Sequence, residues 1–162
     1  MEQSKNTCRG CAGQEKQAPD EKLLEEILKN TKMGSDAMIT LLGKLEDTQQ
    51  PLRQDLATQL DGYQNFAAQA TRLLVQRGKT PTEPKRTATL PSQFGIQIST
   101  LTDHSPSKLA ELVINGSTMG IVELSRAMHR CGTDGCAADV QKLGQDVLNF
   151  EEGNLSKMKT YL

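Results

Sequence analysis

Four cysteines are the residues of this sequence best suited to metal or redox chemistry. They form two short-spaced pairs, Cys8-x-x-Cys11 near the start of the chain and Cys131-x4-Cys136 near its end. Two such thiolate pairs are typical ligands of a closed structural zinc site. The same cysteines could also form disulfides, act as redox pairs or stay reduced and unligated. The spacing leaves these alternatives open, and zinc is the one cofactor that it suggests.

Other catalytic arrangements are hard to build from this sequence. It has two histidines, His104 and His129, and neither lies in a Glu-x-x-His motif. Two scattered histidines also support no arrangement of Ser, His and an acid. No glycine-rich phosphate loop follows a strand pattern. We expect the adjacent carboxylates Glu151 and Glu152 to form a solvated helix turn, and the methionines to fill the core. The sequence therefore favours a protein that is not an enzyme.

Composition and charge narrow the class of protein further. The 162 residues suit one domain, and 19 basic against 20 acidic residues give a net charge of −1, which argues against a nucleic-acid partner or a membrane surface. The first 20 residues have no apolar stretch, so we expect no secretory signal and a cytoplasmic location. The chain has no Trp, two Tyr and three Phe, so its core must use aliphatic side chains, which favour helices.

The spacing of apolar side chains predicts the helices that position the cysteines and carboxylates. We expect residues 1–19 to be a flexible, cysteine-containing tail and residues 20–162 to form a four-helix bundle. Apolar residues three and four apart predict four long amphipathic helices. The first helix has a gap in its apolar stripe around Thr31 to Ser35. The predicted helices begin near Asp20, Pro51, Pro106 and Ala137, and the first three end near Leu45, Gly78 and Cys131.

The connections between these helices predict the topology. A short loop joins the first two helices, a turn at Gly132–Gly135 joins the last two, and a crossover spans about 78–105 with a short helix at 92–103. The third helix then runs parallel to the second. Its end, with Cys131 and Cys136, should lie where the first helix starts, within reach of Cys11.

A faint internal repeat links the first and third helices. Gly34-Ser35 and Gly116-Ser117 are related by an offset of 82 residues. Glycine inside a helix costs about 1 kcal/mol relative to alanine. We therefore expect these two helices to be in contact, with the small residues allowing their backbones to approach closely.

Several motifs together make the chain resemble the ferritin-like superfamily, in particular its small uncharacterised bacterial members. The resemblance covers roughly residues 22–162 and implies two antiparallel helix pairs joined by a long crossover. It rests on the segments KMGSDAMITLL, LDGYQNFAAQA, INGSTMGIVEL and LNFEEGNLSKMKTYL.

The resemblance also implies where a di-metal site would lie. Ferritin-like enzymes use one Glu from each of two helices and a Glu-x-x-His from each of the other two. Here only the fourth helix keeps a carboxylate, at Glu151 or Glu152, and Asp36 and Asp61 lie one position from expected ligands. We therefore expect small and apolar residues at the centre of the bundle. The other ligand positions fall on Ser35, Gly62, Asn65 and Ser117.

The leading functional hypothesis is a structural or interaction protein that is not catalytic and lacks the di-metal ligands. Its partner would be an unidentified protein or a second copy in a homodimer, not a nucleic acid or a membrane. One alternative is a zinc-binding or thiol-redox protein that uses Cys8, Cys11, Cys131 and Cys136. A second alternative is a divergent ferritin-like metal-binding protein.

Overall fold

The computed structural model describes residues 18–81 and 92–162, and this part of the chain contains five helices and no strand. Most of the predicted tail and the middle of the predicted crossover lie outside the described residues. A 3₁₀ turn at Lys159–Tyr161 follows the last helix. The helices are α1 (Pro19–Leu42), α2 (Gln50–Gln76), α3 (Ser92–Ser99), α4 (Pro106–Asp134) and α5 (Ala138–Met158).

The four long helices form an all-α bundle of two antiparallel hairpins, α1 with α2 and α4 with α5, joined by a long crossover that contains α3. This confirms the predicted fold class. α1 also packs against α4, so the first and third long helices are in contact as expected. None of the helices described is long and apolar enough to cross a membrane.

Local signals set the ends of α4. The Ser105 hydroxyl accepts a hydrogen bond from the backbone N–H of Lys108, and Pro106 occupies the first turn. Gly135 ends the helix with a φ of 83°, and its N–H donates to the carbonyl of Cys131. The predicted turn was expected to begin at Gly132, and this start is wrong. Gly132 to Asp134 continue the helix, because the left-handed residue that ends it is Gly135.

The apolar core consists of two clusters, one toward each end of the bundle. The first joins the start of α1 and the end of α2 to the end of α4 and the start of α5, and it includes Leu24, Leu74, Leu124 and Val140. The second joins the opposite ends of the helices. Between the two levels, buried polar side chains interrupt the core. They include Asn30, Thr31, Ser117 and Glu151, and Gln59 is the other buried polar side chain among the described residues.

One end of the bundle is held by polar contacts among three helices. The Arg77 guanidinium at the end of α2 forms ion pairs with Asp20 of α1 at 3.1 Å and with Asp139 of α5 at 2.8 Å. Asp20 also accepts a hydrogen bond from the backbone N–H of Ala137 at 2.8 Å. The start of α1 and the α4–α5 turn therefore share this end, as the predicted topology requires.

Candidate functional site

A buried carboxyl group lies at the centre of the bundle. Glu151 of α5 is 2% exposed, and its Oε2 accepts a hydrogen bond from the Tyr63 hydroxyl of α2 at 2.9 Å. Ser117 of α4 is a second hydrogen-bond partner of this carboxyl. The expectation that Glu151 and Glu152 are both solvated is therefore wrong for Glu151. One residue turns a helix by about 100°, which places Glu152 on the exposed side.

This environment shifts the protonation of both groups. Burial raises the pKa of Glu151 to about 7, although hydrogen bonds with Ser117 and Tyr63 oppose the shift. Burial, followed by the charge of Glu151 and the hydrogen bond to it, raises the pKa of Tyr63 well above its usual value. The pair is therefore a neutral tyrosine beside a carboxyl group that exchanges its proton near neutral pH.

A glycine and an aromatic ring fix the position of Tyr63. The Tyr63 ring meets Phe150 of α5 edge to face, with ring centroids 5.1 Å apart. A Cβ atom on Gly34 of α1 would lie 2.5 Å from ring atoms Cε1 and Cζ of Tyr63. A close approach of two helix backbones, which the sequence predicted, is therefore not what requires a glycine at this position. Gly34 leaves room for the tyrosine ring that reaches Glu151.

A cavity of about 320 Å³ opens between α1 and α4 beside this carboxyl group. Buried Tyr63, Ser117 and Glu151 line its inner end, whereas exposed Met119 and Glu123 line its outer part. The second glycine of the repeat, Gly116, lines this cavity. The remaining apolar and small lining residues are Met33, Gly34, Ala37, Met38, Leu41, Val113 and Gly120.

An asparagine in the cavity wall has an unused hydrogen-bond acceptor. Asn30 is 8% exposed and lies across from α4, where its Nδ2 would be 2.7 Å from a Cβ atom on Gly120. Its Oδ1 is buried and has no hydrogen-bond partner among the described residues. A buried polar atom without a partner costs about 1–3 kcal/mol. The cavity therefore presents an acceptor that a ligand bearing a donor would satisfy.

The bundle as a whole has a known counterpart. It is similar to a solved ferritin-like, diiron-carboxylate protein from Bacillus anthracis str. Ames, with a TM-score of 0.64 over 89% of this chain and 97% of that chain. The fold is ferritin-like. At 14% sequence identity the likeness shows the fold alone. No protein-family model and no curated protein sequence matches this ferritin-like chain.

The residues at the centre of this ferritin-like bundle do not fit a di-metal group. The Ser35 hydroxyl donates to the Thr31 carbonyl at 3.0 Å, Gly62 packs against the Phe150 ring, and Asn65 is exposed. Within residues 18–81 and 92–162, no three His, Cys, Asp or Glu side chains gather where they could hold a metal ion. Two hard cations need several carboxylates, and this layer supplies one.

The expected filling of the centre by small and apolar residues is wrong in one respect. The layer holds the Glu151 carboxyl group, the Tyr63 hydroxyl and Ser117. Two aspartates lie one position from an expected ligand. Asp36 is half-buried, and Asp61 is exposed. One polar layer thus occupies the level at which the resemblance places the di-metal ligands.

The two cysteines that the structure describes lie away from this layer. Cys131 and Cys136 are buried in the core cluster that contains Leu23 and Leu24, and they are joined by a disulfide with Cα atoms 5.3 Å apart. Cys8 and Cys11 lie outside the described residues. The four-cysteine zinc site therefore stays a prediction.

The cavity was not predicted, although the sequence of α1 contains one signal of it. The apolar stripe of α1 is interrupted from Thr31 to Ser35, and this interval contains the cavity residues Met33 and Gly34. Met38 is buried as expected of a core methionine, whereas Met119 is 46% exposed and lines the cavity.

Proposed function

We propose that this chain is a binding protein without catalytic activity, in which a ligand cavity takes the place of the di-metal centre of a ferritin-like bundle. The observation that carries the proposal is the buried Glu151 carboxyl group at the inner end of the cavity between α1 and α4. A cavity that is mostly apolar and has a few polar groups at one end is typical of small-molecule sites.

The side chains around the cavity favour binding over catalysis. No histidine or cysteine among the described residues lines it, so Ser117 lacks the imidazole base that usually activates a serine nucleophile. Glu151 is the one carboxyl group at the inner end, and its oxygen is engaged with Tyr63. This donor set supports recognition of a ligand by one acidic group and an apolar wall.

Titration calorimetry tests this function with 4-phenylbutanol, a neutral apolar compound, and separately with iron(II). We expect saturable binding of the alcohol and no stoichiometric binding of iron. The Gly116→Leu variant, which fills the cavity, should lose the alcohol binding. Gly153→Leu is the matched control, because a Cβ atom there meets nothing within 4 Å.

A second variant guards against a folding defect in Gly116→Leu. Met119 is 46% exposed at the outer part of the cavity, so Met119→Trp should block entry while leaving the core intact. Alcohol binding that survives both substitutions, or two irons bound per chain, would overturn the proposal.

The zinc alternative is favoured by one observation. Cys131 and Cys136 lie at the end of the bundle where α1 begins, and the chain before Pro19 carries Cys8 and Cys11. Reduced thiols gathered there would bind zinc with release of protons.

We predict that the fully reduced protein takes up about one zinc ion per chain, since four thiolates complete one tetrahedral site. The double variant Cys131→Ser, Cys136→Ser should lose this uptake. Mild oxidation of the wild type should cross-link the two pairs, which peptide mapping detects. Local disulfides alone together with no zinc uptake would refute a shared site.

A further inference from the structure

Two buried polar groups that the cavity offers to a ligand carry hydrogen-bond acceptors. Asn30 Oδ1 is buried without a partner among the described residues, and Glu151 presents a carboxyl group at the inner end. The hydroxyl of Tyr63 is already committed as a donor to Glu151. The thioethers of Met33, Met38 and Met119 are weak acceptors as well.

The charge of Glu151 is not compensated by a cation. No described ion pair involves it, and its partners are the hydroxyl groups of Tyr63 and Ser117. At the outer part of the cavity, Lys29 pairs with Glu26 at 3.0 Å and Arg126 pairs with Glu123 at 3.1 Å. A buried carboxylate without a neighbouring cation carries a desolvation cost, and a cationic ligand would offset that cost.

We propose that the ligand is an organic monocation, a protonated amine on an apolar body. The inference rests on the proposed binding function and names its ligand class. The ammonium group donates to the Glu151 carboxylate and to Asn30 Oδ1. The apolar body lies along the methionine, valine and leucine side chains that line the cavity.

Steric features of the cavity agree with this assignment. Gly34 and Gly120 make room for the Tyr63 ring and the Asn30 side chain at the polar end, and Gly116 lines the cavity. An anionic ligand would face the Glu151 carboxyl group at the inner end. The volume of about 320 Å³ suits a compound of moderate size.

Affinity for such a cation should depend on pH. An alkylamine keeps its proton below pH 9, whereas the pKa of Glu151 is raised to about 7, so the ion pair forms as Glu151 ionises. The other charged or titratable groups facing the cavity are Glu26 and Lys29 on α1, Tyr63 on α2 and Glu123 on α4. We expect affinity to rise by about tenfold between pH 6 and pH 8, with proton release on binding.

The experiment compares three matched probes by calorimetry at pH 8: 4-phenylbutylamine, 4-phenylbutanol and 4-phenylbutyrate. We expect the amine to bind at least about tenfold more tightly than the alcohol, and the carboxylate to bind most weakly. Glu151→Gln should remove the preference for the amine and the pH dependence, while binding of the alcohol persists. Glu152→Gln, an exposed neighbour, is the control.

The outcomes separate the ligand class from the binding function. Equal binding of amine and alcohol, or a preference that persists in Glu151→Gln, would overturn the cationic ligand and leave the cavity as a binding site. Binding of none of the three probes would overturn both proposals. Asn30→Leu tests the second acceptor, and we expect it to weaken the amine more than the alcohol.

Discussion

At pH 8, Glu151→Gln is expected to be more stable to unfolding than the wild-type protein by about 3 kcal/mol. Burial raises the pKa of Glu151 from 4.5 to about 7, and each pKa unit corresponds to about 1.4 kcal/mol. Glutamine has nearly the same shape and keeps an acceptor for the Tyr63 hydroxyl, but it carries no charge that must be held away from water.

The pH dependence of this difference has a definite sign. Below about pH 4.5 the carboxyl group is protonated in both the folded and the unfolded chain, so it has no effect on stability. Between about pH 4.5 and 7 the unfolded chain releases the proton first, and the wild-type protein loses stability as the pH rises. Above pH 7 both states are ionised and the loss is complete.

Urea unfolding of wild type and Glu151→Gln at pH 5, 6, 7 and 8 measures this effect. The two free energies of unfolding should differ little at pH 5 and diverge toward pH 8. The Glu152→Gln variant should follow the wild type, because its side chain is exposed. If the free energies of unfolding of wild type and Glu151→Gln changed with pH in the same way, burial of the Glu151 carboxylate would not destabilise the protein as predicted.

Gly34→Ala is expected to lower the free energy of unfolding by about 2–4 kcal/mol. The new Cβ atom would lie 2.5 Å from the Tyr63 ring, so the ring must move and its hydrogen bond to Glu151 is strained. Overpacking a core costs about 1–3 kcal/mol, and a lost hydrogen bond to a charged group adds to it.

A second glycine provides the matched control. Gly153 lies within α5, and a Cβ atom there meets nothing within 4 Å. Gly153→Ala should therefore raise the free energy of unfolding by up to about 1 kcal/mol, the usual gain in a helix interior. Urea unfolding compares both variants with wild type. Stabilisation by both substitutions would mean that Gly34 does not make room for Tyr63.

The long helices were predictable because burial acts on every turn of an amphipathic helix. Leu24, Leu74 and Val140 fall on predicted stripes and are all buried. The choice between two adjacent glutamates was not predictable in the same way. A shift of one residue rotates a side chain by about 100°, so the inward position depends on how α5 packs against the other helices.

The cavity depends on features that periodicity does not report. Gly34 suggested a close approach of two backbones, whereas its neighbour is the ring of Tyr63 from a third helix. Nothing in the sequence around Asn30 indicates that its Oδ1 has no hydrogen-bond partner among the described residues. These properties arise from side-chain placement across three or four helices, which one sequence does not reveal.

The polar layer between the two apolar clusters also bears on how the helices can slide. Moving α5 along its axis by one turn, about 5.4 Å, would carry Glu151 away from Tyr63 and into a leucine-rich level. A single polar position fixes the axial register of helices in coiled coils in the same manner. Here the hydrogen bond between Tyr63 and Glu151 favours one axial alignment of α2 and α5.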